Sequence, residues 1–484
     1  VFPALMPGGA PAGPKPAGFP ESAATGIQHL RMSEILRRLL DQRESEDSDR
    51  RAESEIAPIV NFAIALLDDP ILSEVVGDQL LKLKAAIPNI PKPFGFAPKD
   101  RPNLYFRWKH VQENGWHFTR EGKPARYKRT SMTTINGGWR NGLTKLWEFG
   151  IGFNFASGTV PDFYISSRLN PPAAERDAFR SEEVLLFFGS ARFTGCRGPA
   201  HPWTPGSYFY QDFFYWCELI NLLTGMRPGE VAQLRCRDIL VLYGEPHFRY
   251  AKFGKSGEDE DEEDRFDPQP GGNDGKTNAA FRWLPVHWLL LRLGIIERRD
   301  AIVAEYIARK TKEAGGREQI SPEAFAEIEA QAFDLWLFPD WPVYVKKTGE
   351  IKWSHYVSKA FTYGKQKLGL TRRGLSQYSG RHTFKGYIDD IKGLSDRSRK
   401  ILLGHSTRGD VTAGYGPKRI TEEQSLVVQR LSNSTIWRLA LILIRAKRKA
   451  EKGDLIVIDA WRHDVRSDDE RLQEALARRA ERYR

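Results

Sequence analysis

Four short motifs that lie far apart in the chain place the strongest constraint on its fold. Arg227 follows a Thr-Gly-Met turn, Arg381 stands in a Tyr-Ser-Gly-Arg-His segment, His405 ends a Leu-Gly-His turn, and Tyr415 lies between two glycines. Arginine suits a phosphate clamp, because its planar fork matches two phosphate oxygens and stays charged. Tyrosine suits a nucleophile, because its ester with phosphate conserves the energy of the broken bond. A clamp built from these residues requires a fold that brings the four motifs together.

The composition is that of a basic globular protein. The chain has 484 residues, enough for two or three domains, with 40% hydrophobic and 12% aromatic residues. Its net charge of +11 and pI near 9.3 favour a polyanionic partner, although a basic soluble protein without such a partner is the open alternative. No apolar run approaches the roughly 18 residues that span a bilayer, so no membrane partner is expected.

Cysteine usage and the chain start add two expectations. Cys196, Cys217 and Cys236 are too widely spaced for a Cys-x-x-Cys site, and they predict reduced thiols in a cytoplasmic protein. The chain begins at Val1 rather than at a methionine and has no signal-peptide pattern, so we expect its natural start to lie upstream.

The first third of the chain predicts a leader and a helical domain. Residues 1–25 are rich in Pro, Gly and Ala and predict a disordered leader. Residues 26–172 predict a helical domain, because apolar residues recur at a spacing of about 3.6. Asn170-Pro171-Pro172 predicts a linker to the next domain. The residues expected on the core faces of these helices are Ile35, Leu36, Leu39, Leu40, Ile56, Ile59, Phe62, Ala63, Leu66, Trp139, Leu143, Leu146 and Trp147.

A basic cluster lies inside this helical domain. Arg126, Lys128 and Arg129 alternate with Tyr127 and Thr130. The cations supply charge and the hydroxyl groups supply neutral donors, so the pattern suits contact with phosphate groups. A solvated loop is the alternative, because such clusters are common on protein surfaces.

The remainder predicts a larger mixed domain, residues 173–430, and a tail, residues 431–484. A strongly apolar helix from Phe213 to Leu223 ends at the Thr-Gly turn before Arg227. Three short β-branched and aromatic runs, 239–243, 247–250 and 281–286, predict a small antiparallel sheet.

An acidic insertion of about residues 256–275 interrupts this sheet. It contains seven successive acidic residues, 258–264, which repel one another and predict an extended loop. Screening of a basic groove in the absence of DNA is the alternative.

The residue types also bear on the chemistry. Cleavage of a phosphodiester without a metal needs a nucleophile, cationic donors for the non-bridging oxygens, and an acid for the leaving oxygen. No group of His, Cys, Asp and Glu has metal-ligand spacing; His382 and His405, for example, are too far apart for a helical pair. We therefore expect neither a metal nor another cofactor.

Taken together, the motifs resemble those of the tyrosine recombinases, the family of the phage-type integrases. The resemblance covers roughly residues 180–420, and it extends more loosely to residues 28–170. Its parts occur in the order typical of the family, and any one alone would be weak. They are Thr224-Gly-Met-Arg-Pro-Gly-Glu230 with Gln233-Leu234, Lys276-Thr277 with Arg282 and Leu284-Pro-Val-His287, Arg381-His-Thr-Phe384, Leu403-Gly-His-Ser406, and Tyr415 ten residues after His405.

The resemblance implies a role for each catalytic candidate. Arg227 and Arg381 would clamp the scissile phosphate, and His405 would donate to a non-bridging oxygen. Tyr415 would form a 3′-phosphotyrosyl link, and Lys276 would protonate the leaving 5′ oxygen.

Several assignments leave alternatives open. Lys252 and Lys255 lie in the first half of the same predicted hairpin, although the downstream Arg-x-Leu-Pro-Val pattern favours Lys276. Glu230 is either a support for Arg227 or an ordinary carboxylate at a helix start. His382 is expected to be a packing or supporting residue.

Tyr378 departs from the family pattern. Histidine is usual three residues before the second arginine, where it acts on the proton of the nucleophile. A phenol titrates near 10, against about 6.5 for imidazole, so Tyr378 would be a poor base near neutrality. It is expected to donate a hydrogen bond to the phosphate; simple packing is the alternative.

The resemblance also implies an architecture and partners. We expect a mainly helical α+β fold in which a helical core-DNA-binding domain and a mostly helical catalytic domain with a small antiparallel sheet form a C-shaped clamp. Expected partners are double-stranded recombination sites, three further copies in a tetramer on DNA, and accessory proteins, in a bacterial or phage-encoded protein associated with the nucleoid.

Two further functions stay open at this point. One is a catalytically weakened DNA-binding regulator on a recombinase scaffold, and the other is strand relaxation like that of a type IB topoisomerase. The tail is given a hypothesis of its own: its apolar stretch Ile436–Ile444 has no obvious partner in sequence, so it docks on a neighbouring protomer.

Overall fold

The computed structural model describes residues 29–45, 51–166, 177–250, 281–345, 351–405 and 419–463. The predicted leader, the linker at 170–172, the acidic insertion and the tail beyond 463 lie outside these residues. The chain divides into two compact units, residues 1–174 and residues 175–484. Within the described ranges, none of the helices combines the length and the apolar character needed to cross a membrane.

Unit 1 is built mainly from helices around one apolar core. The residues predicted on the core faces are buried in that core, apart from the half-buried Leu40 and Trp139. The spacing of about 3.6 residues explains this burial, because it lines apolar side chains along one side of each helix. The helices are α1 (Met32–Ser45), α2 (Arg51–Leu67), α3 (Gly77–Ala86), α4 (Leu104–Asn114) and α5 (Arg140–Gly152), the last preceded by a π-helical turn, Thr134–Trp139.

Unit 1 also contains a β-hairpin that the sequence pattern did not predict. Strand β1 (His117–Arg120) pairs antiparallel with β2 (Lys123–Arg126). Glu121 and Gly122 form the tip, and both have positive φ, which is the backbone of the turn that matches strand twist. Most side chains of both strands are exposed, so there is no alternation of buried and exposed residues to reveal the strands.

Unit 2 is mainly helical with small sheets, which confirms the α+β fold class. The three predicted strands form one antiparallel sheet, in which residues 245–250 make the middle strand. The strands are β3 (Tyr208–Tyr210), β4 (Ile239–Leu242), β5 (Glu245–Tyr250), β6 (Arg282–Pro285) and β7 (Ile456–Ile458). The helices are α6 (Ser181–Phe188), α7 (Ala191–Thr194), α8 (Phe213–Thr224), α9 (Pro228–Val231), α10 (Trp288–Leu293), α11 (Ile295–Glu313), α12 (Pro322–Phe333), α13 (His355–Lys367), α14 (Ser379–Asp389), α15 (Asp396–Leu403), α16 (Glu422–Gln429) and α17 (Ser434–Glu451).

The centre of unit 2 is the packing of α14 on α8. Every residue of α8 is buried, including the polar Glu218, Asn221 and Thr224, because the helix is apolar on all sides. The two helices approach closely at Gly380, where a Cβ atom would lie 2.2 Å from Oδ1 of Asn221. A second glycine, Gly225, ends α8 with φ +69°, and a Cβ there would lie 2.5 Å from the ring of Phe384. These two glycines therefore set how near the second arginine motif lies to the first.

The described part of the tail, residues 431–463, packs on its own chain, so the observation that prompted the docking hypothesis does not hold. Ile436, Leu439, Ala440 and Leu443 of α17 are buried in the core of unit 2, where α17 packs on α6, α7 and α10. Strand β7 then pairs in parallel with β3, a pairing that the sequence did not reveal. The apolar stretch thus has a partner within the same unit. A sequence pattern shows that a helix face is buried but not which surface covers it.

Candidate functional site

The turn that carries Arg227 is held from both sides. Asn221 of α8 donates through Nδ2 to the carbonyl oxygen of Met226 at 2.8 Å. Arg227 caps α9, and its backbone N–H donates to Oε2 of Glu230 at 2.9 Å. Its Nη1 also donates to Oε1 of Glu230 at 2.6 Å, while the side chain keeps 33% of its surface exposed. Arg227 is thus a fixed guanidinium with one side open to solvent.

A second, buried arginine completes the cluster around Glu230. Nη2 of Arg282, on β6, lies 2.9 Å from Oε2 of Glu230, and its Nε donates to the carbonyl oxygen of Leu402 at 3.0 Å. Burial would raise the pKa of Glu230, but the charges of Arg282 and Arg227 outweigh it and lower that pKa to about 2. Glu230 is therefore ionised and joins the first arginine motif to the sheet. The sequence motifs included Arg282 only as part of a pattern, and no contact of this kind was predicted.

Arg381 links two helix ends. It lies on α14, is 6% exposed, and donates through Nη1 to the carbonyl oxygen of Gly225 and through Nη2 to that of Leu403. Helix α15 ends at Gly404 in the left-handed conformation, which pairs the carbonyl oxygens of Lys400 and Ile401 with backbone N–H groups, while those of Leu402 and Leu403 need partners from elsewhere. Arg381 and Arg282 supply them. Burial and the charges of Arg227 and Arg282 lower the pKa of Arg381 to about 9, which leaves it cationic at neutral pH.

His405 directly follows this helix end. Its backbone N–H donates to the carbonyl oxygen of Lys400 at 2.9 Å, and the residue as a whole is exposed. Local burial of the ring, together with the positive charges of Arg381, Arg227, Arg282 and Lys385, lowers its pKa to about 4. The imidazole is therefore neutral at neutral pH. Three guanidinium groups and one histidine converge here, which is an arrangement suited to an oxyanion.

Tyr378 and His382 lie beside this cluster. Tyr378 is half-buried at the first end of α14, and its carbonyl oxygen accepts a hydrogen bond from the backbone N–H of His382 at 3.1 Å. The phenol of Tyr378 lies close enough to Arg381 to interact electrostatically with its guanidinium. His382 is half-buried as well.

The predicted nucleophile and acid lie outside the described residues. These are Tyr415, Lys276 and the alternative lysines Lys252 and Lys255. The segment that contains Tyr415 is bounded by His405 and by α16, and α16 is fixed to the sheet because Nε2 of His247 lies 2.6 Å from Oγ of Ser425. Within the described ranges, no group of three or more His, Cys, Asp and Glu is placed to hold a metal ion.

The basic cluster of unit 1 has a different internal arrangement from the one predicted. Arg126, Lys128 and Arg129 are exposed, but Tyr127 and Thr130 point inward. Tyr127 stacks on Phe96, in the loop before α4, and on Phe118 of β1, and Thr130 donates through Oγ1 to the carbonyl oxygen of Ile90 at 2.9 Å. The hydroxyl groups are therefore structural. The expectation that they contact phosphate was wrong, because both side chains are buried against other groups of unit 1.

Arg129 is also partly engaged. Its guanidinium lies 4.6 Å from the ring centre of Trp116 and donates to Oδ1 of Asn89. Arg126 and Lys128 extend from the surface of the hairpin region.

A polar face of α13 was missed by the sequence analysis. The helix has no acidic residue and contains three lysines. Its outer face borders a shallow depression of about 560 Å³, and the ring of His355 stacks on Tyr344 with centres 3.6 Å apart. Donors and acceptors repeat there at helical spacing, a signal that the sequence did contain. The residues that line the depression are Lys352, His355, Ser358, Lys359, Thr362, Tyr363 and Gln366.

Comparison with known proteins gives likenesses among solved structures. No family model and no curated protein matches the chain. A lambda integrase tetramer bound to a Holliday junction is similar with a TM-score of 0.40 and 13% identity, over 79% of each chain. A Tn1549 transposon integrase in complex with a circular intermediate DNA is similar with a TM-score of 0.41 and 12% identity, over 84% of this chain and 98% of that one. The XerA recombinase gives a TM-score of 0.24 at 11% identity, over 85% of this chain and 98% of that one. Integrases and recombinases are thus the proteins to which the chain is similar, at low identity.

Proposed function

We propose that this protein is a tyrosine-type site-specific DNA recombinase that cuts and rejoins strands without a metal. The observation that carries the proposal is the bridge made by Arg381. Its guanidinium donates to Gly225, in the first arginine motif, and to Leu403, in the Leu-Gly-His turn. Three motifs that are separated in sequence thereby surround one small region, and the two arginines and His405 are the groups that a scissile phosphate requires.

The proposed reaction follows from these groups. The phenolic oxygen of Tyr415 loses its proton to solvent and attacks phosphorus, so that a P–O bond forms while the bond from phosphorus to the 5′ oxygen breaks. The leaving oxygen takes a proton from Lys276, and the phosphorus remains linked to the tyrosine as a 3′-phosphotyrosyl ester. The 5′ hydroxyl group of another strand then attacks this ester, and the same steps in reverse release the tyrosine.

The electrostatics of the described residues support the assigned roles. The donors of Arg227 and Arg381 that are not engaged by Glu230 or by backbone carbonyls can receive the non-bridging oxygens. His405 is neutral before DNA binds, because burial of its ring and the surrounding positive charge lower its pKa to about 4. A phosphate would reverse that balance, so DNA binding favours a protonated imidazole that donates to the oxyanion. Glu230 fixes Arg227 and does not contact the phosphate.

Two surfaces are proposed to hold the duplex. The outer face of α13 combines cations with amide and hydroxyl groups, and these suit base edges in a major groove as well as phosphates. Arg126 and Lys128 of unit 1, with Arg129, are proposed as phosphate contacts. We further propose that the protein acts as a tetramer on paired sites, with accessory proteins, in the bacterial cytoplasm.

A covalent-trapping experiment tests the proposal. A nicked duplex that carries the protein's own recombination site loses a short strand after cleavage, so the phosphotyrosyl adduct accumulates. We expect wild-type protein to form an adduct that survives denaturation, and Tyr415→Phe to form none while it still binds the duplex. The matched control is Tyr164→Phe, an exposed tyrosine of unit 1, which should form the adduct normally.

The same experiment separates the alternatives. Specific binding without any adduct would indicate a DNA-binding regulator, a function that the tyrosine at position 378 would suit. Adduct formation with relaxation of supercoiled DNA of any sequence, and no exchange between two sites, would indicate a topoisomerase. Strand exchange that requires Tyr415 and two matched sites supports the recombinase.

A further inference from the structure

Glu218 is a carboxyl group buried at the centre of unit 2. It lies on α8 and has no exposed surface. Nε2 of Gln377 donates to its Oε1 at 3.4 Å. Its second oxygen, Oε2, is buried and has no hydrogen-bond partner. A buried carboxylate with an unsatisfied oxygen is costly, so the protonation state of this group needs an explanation.

The side chain of Gln377 also lacks a hydrogen bond. Its Oε1 is also buried without a partner. If Glu218 is ionised, both of these oxygen atoms are acceptors and no donor serves either. If Glu218 is protonated, its Oε2–H donates to Oε1 of Gln377 while Nε2 of Gln377 donates to Oε1 of Glu218. This cyclic acid–amide pair satisfies all the oxygen atoms of both groups with one proton.

The surroundings of Glu218 agree with the protonated form. Burial raises its pKa to about 8, and the hydrogen bond from Gln377 and the charge of Arg192 lower it less. Cys217, its neighbour, is buried and has a raised pKa, so it adds no charge. Among the described residues, the ionisable groups on elements around α8 include Arg192 of α7, Glu230 of α9, Arg292 of α10, Lys365 of α13 and Arg381 of α14; Arg192 is the one whose field acts on Glu218.

Gln377 connects this pair to the candidate site. It directly precedes Tyr378, at the turn that leads into α14. The turn is closed by two hydrogen bonds, from the backbone N–H of Ser376 to Oγ of Ser379 at 2.9 Å and from the backbone N–H of Ser379 to the carbonyl oxygen of Ser376 at 2.8 Å. The Gln377 side chain attaches the turn to α8.

We propose that Glu218 is a neutral carboxylic acid in the folded protein and that, paired with Gln377, it positions the turn that presents Tyr378 and Arg381. The effect on cleavage rests on the proposed function, whereas the protonation of Glu218 does not. Loss of the proton would leave a buried anion facing an amide oxygen, and this repulsion would separate the turn from α8.

Infrared spectroscopy tests the proton directly. The carbonyl stretch of a protonated carboxylic acid is separate from the bands of a carboxylate. We expect wild-type protein at neutral pH to show such a band, Glu218→Gln to lack it, and the band to disappear as the pH rises through about 8. The matched control is Glu313→Gln, an exposed glutamate paired with Lys310, which should retain the band. A band that is unchanged in Glu218→Gln would overturn the proposal.

Cleavage as a function of pH tests the positioning role. Glutamine at position 218 would form an amide–amide pair with Gln377 that does not titrate, so Glu218→Gln should rescue the function that Glu218→Ala loses. The ratio of Glu218→Gln to wild-type cleavage should rise about tenfold between about pH 7 and pH 9, because the protonated fraction of Glu218 falls by that factor. Taking the ratio cancels the ionisation of the nucleophile. A constant ratio, or Glu218→Gln as inactive as Glu218→Ala, would refute the role in positioning.

The two experiments can fail independently. The infrared measurement uses the full chain without DNA, so it decides the protonation of Glu218 whether or not the protein cleaves DNA. If the band behaves as expected and no variant forms an adduct, the proposed function fails and the acid–amide pair stands. If wild-type protein cleaves DNA but the band is absent, the proposed function stands and the acid–amide pair is refuted.

Discussion

Nη2 of Arg282 lies 2.9 Å from Oε2 of Glu230, and both side chains are almost completely buried. The pair joins strand β6 to the turn that carries Arg227. Nε of Arg282 also donates a hydrogen bond to the carbonyl oxygen of Leu402. One buried ion pair therefore fixes the relative positions of three motifs. An ion pair at this depth is stabilising only while both partners are present, because a single buried charge has lost its water.

Glu230→Gln should destabilise the protein. The substitution leaves Arg282 buried without its counter-charge, and we expect a loss of about 3–5 kcal/mol in the free energy of unfolding. Urea titration measures it, with Glu313→Gln as the control; that carboxylate pairs with Lys310 at the surface, so its loss should have little effect. The pKa of Glu230 is lowered to about 2, so its contribution is present above about pH 4.5 and is lost as the pH falls toward 2. The difference between wild type and Glu230→Gln should shrink in that window; a difference that is constant with pH would contradict the assignment.

Gly380→Ala and Gly386→Ala should have opposite effects although both lie on α14. A methyl group at position 380 would meet Oδ1 of Asn221 at 2.2 Å, and Asn221 is fixed by its bond to Met226. We expect a loss of about 1–3 kcal/mol. Position 386 is exposed, and a Cβ atom there would have no neighbouring group within 4 Å. Alanine at this position should therefore stabilise the protein by about 0.5–1 kcal/mol through its helix propensity. Thermal or urea unfolding compares them, and equal effects would show that α8 and α14 do not pack this closely.

Arg381→Lys should impair cleavage more than binding. A single ammonium group cannot donate to Gly225, Leu403 and a phosphate in the geometry of the guanidinium fork. Loss of one preorganised donor to an oxyanion typically costs about 10²–10³-fold in rate, and we expect a reduction of at least this size in adduct formation. Binding of the duplex should change far less. Arg309→Lys changes a half-buried arginine on α11 that pairs with Glu313; it controls for the loss of any guanidinium and should cleave normally. An equal loss of binding and cleavage would assign Arg381 a purely structural role.

Replacement of the leaving oxygen by sulfur should identify the general acid. Lys276→Ala should slow cleavage of ordinary DNA by about 10²–10⁴-fold, because the 5′ oxygen must be protonated as it leaves. A substrate with a bridging 5′ sulfur needs no such proton, since a thiolate leaves unaided, and it should restore the rate of Lys276→Ala. Lys252→Ala and Lys255→Ala should cleave both substrates like wild type. Rescue of one of these two instead would transfer the role to that lysine.

Much of the architecture followed from local pattern. Periodicity located the helices of unit 1 and the apolar helix α8, and alternation with β-branched residues located strands β4, β5 and β6, because burial of one face imposes a period on the sequence. The two arginine motifs and the Leu-Gly-His turn pointed to the candidate site as well, because the structure brings these three motifs together. The exposed hairpin β1–β2 and the parallel pairing of β3 with β7 left no such period.

The tertiary structure decided which side chains and which surfaces contact one another. By itself the sequence determined which residues are apolar, charged or able to turn, and these properties act over a few neighbouring positions. It did not determine that Arg282 would neutralise Glu230, that Tyr127 and Thr130 would point inward, or that α17 would cover its own unit. Those outcomes depend on which helices and strands pack together, although they lie far apart in the sequence. An apolar or charged side chain can contact many different surfaces, so its type alone does not specify its partner. The unpaired oxygen atoms of Glu218 and Gln377 became visible for the same reason, once α8 and α14 were packed together.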